Sequence, residues 1–361
     1  MVAAFWGVAL VTAGLAAAAV VGFARGRRGA AIGACAALAL LGALELAWIV
    51  RDGLRFEAMH MAYLQLVVAV PLAGVAALVA RVRPLAAKLA AVGALLLAPV
   101  GAYATFIEPY RLVVERERVP VARERAGERP LRIAVLTDLQ TAHVTDYERD
   151  ALARLMALRP DLILIAGDFY QGQSLQRELP ALRELARSLR APGGVWFVHG
   201  DTEEGYDPSA IFAGTAVRTL EDEIARVRIG DRRLTVGGVR LHYETRSARG
   251  TIARLERRTG EEDIRILLSH RPDAALEASR GTRIDLTVAG HTHGGQVQLP
   301  VFGPPIILSD VPREVGAGGL HVLDGGRRVY VSRGVGVEHA GHAPRVRFGA
   351  RPEISLLELR G

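Results

Sequence analysis

The stretch from Ala289 to Pro300, AGHTHGGQVQLP, holds His291 and His293 two residues apart. On an extended segment, side chains two apart point to the same side. The two imidazoles therefore converge on one point, and Gly290, Gly294 and Gly295 allow backbone and ligand to approach closely. That is an arrangement for holding a metal ion. H-x-H pairs also occur in solvated turns, so the pair gains its meaning from the polar residues upstream: Asp138 in Thr137-Asp138-Leu139-Gln140, Asp168 after Gly167, Asp201 in Gly200-Asp201-Thr202-Glu203, and His270 after Ser269.

Each of these residues follows a segment that reads as a strand. Leu131–Leu136 is a short apolar run, Leu162–Ala166 and Val195–Val198 are two more, and later strands are expected at Ile266–Ser269, Leu286–Ala289, Val297–Leu299, Val329–Ser332 and Ile354–Leu359. Asp146–Leu158 and Leu175–Leu189 have helical spacing. Helix and strand alternate and then strands dominate, which predicts an α/β domain with a mixed β-sandwich flanked by helices in four layers, covering 131–361. Ligands in open α/β sheets collect beyond the carboxyl ends of strands. A single Gly-Asp after a strand is usually a turn or a helix cap; five strand ends in series, each offering Asp or His, exceed what capping explains.

The order Asp, Gly-Asp, Gly-Asp-Thr-Glu, His, Gly-His-x-His resembles the signature of the calcineurin-like metallophosphoesterases, in a membrane-attached bacterial branch with degenerate first and third motifs. LLSHRPD, VYVSRGVG and RPEISLLEL add to the likeness. The resemblance implies two divalent metal ions, with Asp138 and His293 on the first, Asp168 bridging, and His270 and His291 on the second. It also implies a hydroxide nucleophile that attacks a phosphoester. Mn²⁺ is the expected metal, with Fe or Zn as the other candidates.

Two motifs depart from the family. Gln140 stands where the family's Asp-x-His has its histidine; it is expected to offer a carbonyl oxygen to the first metal. Asp201 replaces an asparagine ligand and keeps an oxygen donor. Asp168, Asp201 and Thr202 occupy the catalytic positions, but Thr202 replaces the histidine that helps the leaving group and cannot act as an acid near neutral pH. General-acid help is worth ~10²–10⁴-fold. His143, His199, His339 and His342 lie in or beside the relevant loops as substitute acids, or as ordinary surface histidines.

The first ~107 residues are of another kind. Val2–Ala24, Gly29–Val50, Ala58–Ala80 and Leu89–Ile107 are apolar segments near the ~20-residue spanning length, and read as four transmembrane helices. Glu45 lies inside one of them, an intramembrane acid with functional potential, though Arg51 and the interface are near. Residues 108–130, charged and arginine-rich, read as a linker or a surface strand. The formal net charge is +7, but residues 1–105 hold eight Lys/Arg against three acids, which leaves only +2 for the rest. That balance disfavours nucleic acid as a partner. The single cysteine, Cys35, excludes an intramolecular disulfide. Basic first and third loops place both termini, and with them the domain, on the outer face of a multi-pass cell-membrane protein.

Two functional classes follow. One is a membrane-tethered hydrolase of a phosphoester, with the membrane location favouring a lipid-linked substrate. The other is a non-catalytic relative that binds a phosphoester or metal as a sensor or assembly factor. Retention of Asp138, Asp168, His270, His291 and His293 favours the enzyme.

Overall fold

The computed structural model describes residues 2–52, 56–81, 85–257, 263–338 and 344–361. The chain divides into two compact units, residues 1–107 with 339–345, and residues 108–338 with 346–361.

In the first unit, four helices are long and apolar enough to cross a membrane: Trp6–Ala24, Arg28–Glu45, His60–Val79 and Lys88–Tyr110. Large apolar side chains such as Leu10, Leu40, Leu44 and Leu96 point outward, as they do on helices solvated by lipid. Pro71 has no N–H to donate, and its ring crowds the preceding turn. The chain answers with a π-helical turn, Gln65–Ala69, just before it. Gln65 on that turn donates from Nε2 to Glu45 Oε1 at 2.5 Å, so the intramembrane acid has a polar partner.

The second unit contains strands β1 (Val113–Pro120), β2 (Leu131–Leu136), β3 (Leu162–Ala166), β4 (Val195–Val198), β5 (Val217–Thr219) and β6 (Glu223–Ile229). They are followed by β7 (Arg232–Gly238), β8 (Ile264–Leu268), β9 (Leu286–Ala289), β10 (Gly319–Leu323), β11 (Arg327–Val331) and β12 (Glu353–Arg360). Two six-stranded sheets result, ordered β1-β12-β2-β3-β4-β5 and β10-β11-β9-β8-β7-β6. β2 to β5 run parallel in the first sheet, and β7, β8, β9 and β11 run parallel in the second.

Strand side chains alternate between faces. Leu131, Ile133 and Val135 of β2 pack in one core with Val236 of β7, Ile266 of β8 and Val288 of β9, which is the layer between the sheets. Ala134 and Leu136 turn the other way, onto Leu152 and Leu155 of the helix Asp146–Ala157 and Leu182 and Leu185 of the helix Leu175–Arg187. The helix Arg246–Arg257 covers the far side of the second sheet through Ala248, Ile252 and Leu255. The expected four-layer α/β architecture is the one observed, with a capping box of Thr145 and Glu148 starting the first helix.

Within 108–130, of the linker and surface-strand alternatives the strand is observed over residues 113–120, which form β1, an edge strand parallel to β12 whose charged residues belong to a solvated sheet edge. Two elements differ from expectation. Val297–Leu299 is not a strand; its residues make only single bridges, Val297 to Phe348 and Leu299 to Gly303. The β6–β7 hairpin was not anticipated, although Ala225, Val227 and Ile229 alternate with charged residues before a tight Gly230-Asp231 turn.

β12 is the final strand in sequence yet sits inside its sheet, parallel to β1 and antiparallel to β2. Ile354, Leu356, Leu357 and Leu359 are fully buried. At about 1.5–3 kcal/mol each, their burial approaches the whole ~5–15 kcal/mol stability of a domain. A chain stopped before Glu353 is expected to lose the protease-resistant domain. Limited proteolysis of full-length and truncated protein in detergent checks this, and an unchanged resistant fragment would contradict the topology.

Candidate metal centre

The parallel strands of the two sheets present their carboxyl ends to one crevice. Asp138, Asp168 and Asp201 follow β2, β3 and β4; His270 follows β8; His291 and His293 follow β9. The first sheet supplies carboxylates and the second supplies imidazoles. The main chain ties the ends together: Asp138 N donates to Gly167 O, Gln140 N to Asp168 O, and Gly290 N to His270 O. Across the sheets, His291 N donates to the Asp138 carboxylate at 3.1 and 3.2 Å.

Two groups of side chains have ligand atoms within 4.8 Å of one another: Asp138 with Asp168 and His270, and Asp201 with His270 and His291. His270 Nδ1 lies 2.7 Å from Ala166 O, which assigns the proton to Nδ1 and leaves Nε2 free to bind a cation, 3.1 Å from Asp201 Oδ2 and 3.6 Å from Asp168 Oδ2. His291 is the mirror case. Its Nε2 donates to Leu308 O at 2.9 Å, and its Nδ1 lies 2.8 Å from Asp201 Oδ2. Arg271 closes the other side of Asp201 at 2.5 Å. The donor set of carboxylates and correctly oriented imidazoles fits divalent ions.

The backbone is bent to reach this arrangement. Asp138 (φ 48°), Gln140 (φ 40°), Asp168 (φ 55°), His291 (φ 70°) and His293 (φ 49°) all take left-handed conformations. Such residues cost about 1–3 kcal/mol each and cluster at functional sites. Gly200 has no side chain for a concrete reason: a Cβ there would lie 2.2 Å from Asp168 Oδ1.

Three expected site residues behave differently from their sequence assignment. Gln140 turns its nitrogen, not its carbonyl, toward the acids: Nε2 donates to Asp168 Oδ2 at 2.9 Å and to Glu338 Oε2 at 2.6 Å. Two carboxylates facing one amide demand the donor end. Thr202 acts through its main chain, with N–H donating to Asp168 Oδ1 at 2.9 Å, while its hydroxyl donates to Glu203. His293 lies 3.7 Å from Asp138 Oδ1 through Nε2, but Arg347 Nη2 donates to its Nδ1 at 3.2 Å. That contact leaves the neutral ring's proton on Nε2, so His293 fits a ligand role less directly than His270 and His291. His143 and His199 pair with Glu178 and Glu221; His339 and His342 lie outside the described residues.

Two supporting residues escaped the sequence reading. Glu203 is buried and accepts from the N–H groups of Asp168, Gly200 and Phe169 and from the Tyr206 hydroxyl, so it stitches the ends of β3 and β4 together. Arg347 is fully buried and donates to the carbonyls of Arg333, Gly336 and Ala350. Burial lowers its guanidinium to about 10, where it stays charged at neutral pH. The signal for Glu203 was present, as the last residue of the Gly200–Glu203 motif. Nothing local marks Arg347, whose partners are remote in sequence.

Burial pushes Asp138 up to about 7, with help from the Asp168 charge and against the pull of His270. Burial opposes the charge on His270, but Asp168 and Asp201 outweigh it and hold it well above the usual imidazole value. Burial also opposes the charge on Asp201, yet hydrogen bonds from His270 and His291 keep its carboxyl far below the usual range. Burial and then the Arg347 charge lower His293 well below the ordinary value.

This two-sheet α/β domain, with its acids and imidazoles at parallel strand ends, has the architecture and donor set expected of a metallophosphoesterase. The calcineurin-like phosphoesterase family model matches residues 131–295. The chain is 28% identical over 236 residues to the uncharacterized metallophosphoesterase YkuE of Bacillus subtilis, covering 62% of this chain and 78% of that one. It is 28% identical over 240 residues to the phosphodiesterase YaeI of Escherichia coli, covering 64% and 82%. A Bos taurus transmembrane protein with metallophosphoesterase domain is 27% identical over 251 residues, 64% of this chain and 53% of that one.

The signs of these shifts predict a pH effect. Asp138 and His270 both have folded pKa values raised above their unfolded ones, so each contributes most below its unfolded value and loses that contribution as pH rises through the folded one. Asp201 is shifted the other way and stays charged at any pH above the acid range. The metal-free protein should therefore melt at lower temperature at pH 8 than at pH 6. Divalent metal competes with these protons and should raise the melting temperature more at pH 8. Calorimetry in chelator and in Mn²⁺ checks both signs; a metal-free protein more stable at pH 8 would contradict the assignment.

Proposed function

We propose that the chain is a membrane-tethered phosphoester hydrolase that works with two divalent ions, Asp168 lying between them. Asp138 serves the first ion in this reading, with His293 beside it, and Asp201, His270 and His291 serve the second. The observation that supports it is the convergence of Asp138, Asp168, Asp201, His270 and His291 from five strand ends within ligand reach. A pair of such ions, when bound, clamps a phosphate and makes a water nucleophilic at neutral pH.

The chain's own contribution is positional. The Thr202 N–H and Glu203 hold Asp168, the Ala166 carbonyl sets the tautomer of His270, and half-buried Arg271 offers a guanidinium suited to phosphate oxygens beside Asp201. With Thr202 committed to Glu203, His143 paired with Glu178 and His199 paired with Glu221, none of these three supplies the acid for the departing oxygen in this reading. The substrates that suit such a site are esters whose leaving groups need no proton. The name of the Escherichia coli relative favours phosphodiesters. The four candidate spans keep the domain at a membrane and favour lipid-linked esters. Thr202 is also the observation that favours a non-catalytic, ligand-binding role as the second reading.

Three site carboxylates against +4 of metal charge favour hard ions such as Mn²⁺ over Zn²⁺. Full-length protein in detergent should hydrolyse an aryl phosphodiester best with Mn²⁺, faster at alkaline pH, and leave an alkyl diester almost untouched. Asp168→Asn should lose both bound metal and activity. Retained metal in that variant, read by elemental analysis, removes the assignment; metal binding without turnover on any ester selects the second reading.

The basic first and third loops place the domain on the outer face in this proposal. A C-terminal alkaline phosphatase fusion is expected to be active in cells and a C-terminal fluorescent fusion dark. The opposite pair of results reverses the topology.

A further inference from the structure

A sixth parallel strand end enters the crevice. After β11 the chain runs back along the Asp138–Gln140 segment: Val335 N donates to Thr137 O at 3.1 Å and Gly336 N to Asp138 O at 2.6 Å. The approach is so close that a Cβ on Gly336 would lie 2.5 Å from Leu139 O. This run delivers Glu338, whose Oε1 accepts from Gln171 Nε2 at 3.1 Å and whose Oε2 accepts from Gln140 Nε2. Gln140 Nε2 thus sits between two carboxylate oxygens, 2.6 Å from Glu338 and 2.9 Å from Asp168. Gln140 is 1% exposed, and its Oε1 has no hydrogen-bond partner. A buried carbonyl oxygen without a partner costs about 1–3 kcal/mol. Turning the amide end for end would bring that oxygen against both carboxylates, which three oxygens tolerate only around a cation.

We propose that Glu338 is itself a metal ligand, joining Asp168 and the turned Gln140 carbonyl around one divalent ion. This rests on the two-metal reading above and extends it to a residue outside the family-matched segment 131–295. The carboxylate makes good the nitrogen donor that Gln140 lacks. It also adds a fourth negative charge beside Asp138, Asp168 and Asp201, so two divalent ions leave the core near neutral. An all-oxygen corner of this kind selects Mn²⁺ or Mg²⁺ over Zn²⁺.

The test is Mn²⁺ binding by full-length protein in detergent, followed by titration calorimetry and electron paramagnetic resonance, with thermal melting of each metal-free variant to confirm folding. Wild type should bind two Mn²⁺ with the spectrum of an exchange-coupled pair. Glu338→Gln should weaken one site by at least about 100-fold, the upper end of what loss of a partner behind a ligand costs, and give an uncoupled signal at the same metal level. If Glu338 merely oriented Gln140, Gln140→Ala would cost as much and Glu338→Gln would add nothing in that background; the proposal requires that it still cost affinity there. Two tightly held, coupled ions in Glu338→Gln, with metal lost in Asp168→Asn, overturn the role of Glu338 and leave the two-metal reading standing. No Mn²⁺ bound by wild type overturns both.

Discussion

Like charges crowded into a largely buried crevice are the constraint on which the rest of this domain depends. Asp138 and Asp168 are buried close together, with Asp201 and Glu338 beside them. Carboxylates taken out of water repel one another and ionise reluctantly, so Asp138 rises to about 7. The protein offsets this with every donor it has nearby: the Gln140 amide, the Thr202 and His291 N–H groups, the imidazole of His270 and the guanidinium of Arg271. Asp138, Asp168, Asp201, His270 and His291 are thereby candidate ligands for a cation.

Two sheets are required to build it. One sheet brings Asp138, Asp168 and Asp201 and the other brings the imidazoles and Glu338, so neither has the site alone. Their shared core fixes the separation of strand ends, and the strain of five left-handed residues is carried by the close packing around them. Glu203 and Arg347 hold the inner turns from behind, each satisfying several backbone groups that would otherwise be buried without partners.

The helical unit follows a different logic. Its outward-facing leucines ask for lipid, and Glu45 is met by Gln65 from a π-turn just before Pro71. Irregular backbone inside a helix here has a polar consequence, a side chain rotated toward an acid that hydrocarbon would not solvate.

The sequence by itself determined the four apolar helices and the α/β class, and it pointed to the candidate ligands Asp138, Asp168, Asp201, His270 and His291. Periodicity is local, and the strand-end rule converts local strand positions into a shared location. It also exposed the departures at Gln140 and Thr202, because they sit inside short motifs. What it could not determine depends on who faces whom. The orientation of the Gln140 amide is decided by Asp168 and Glu338, the latter nearly two hundred residues away; the tautomers of His270, His291 and His293 are decided by Ala166, Leu308 and Arg347. The insertion of β12 between β1 and β2, the edge position of β1 and the return of the β11 loop past Asp138 are likewise long-range pairings. Hydrogen bonds and charges act through space, at distances that side-chain period along the chain does not encode. The kinds of atom at this site are therefore written in the sequence, and their directions are set only by the packed fold.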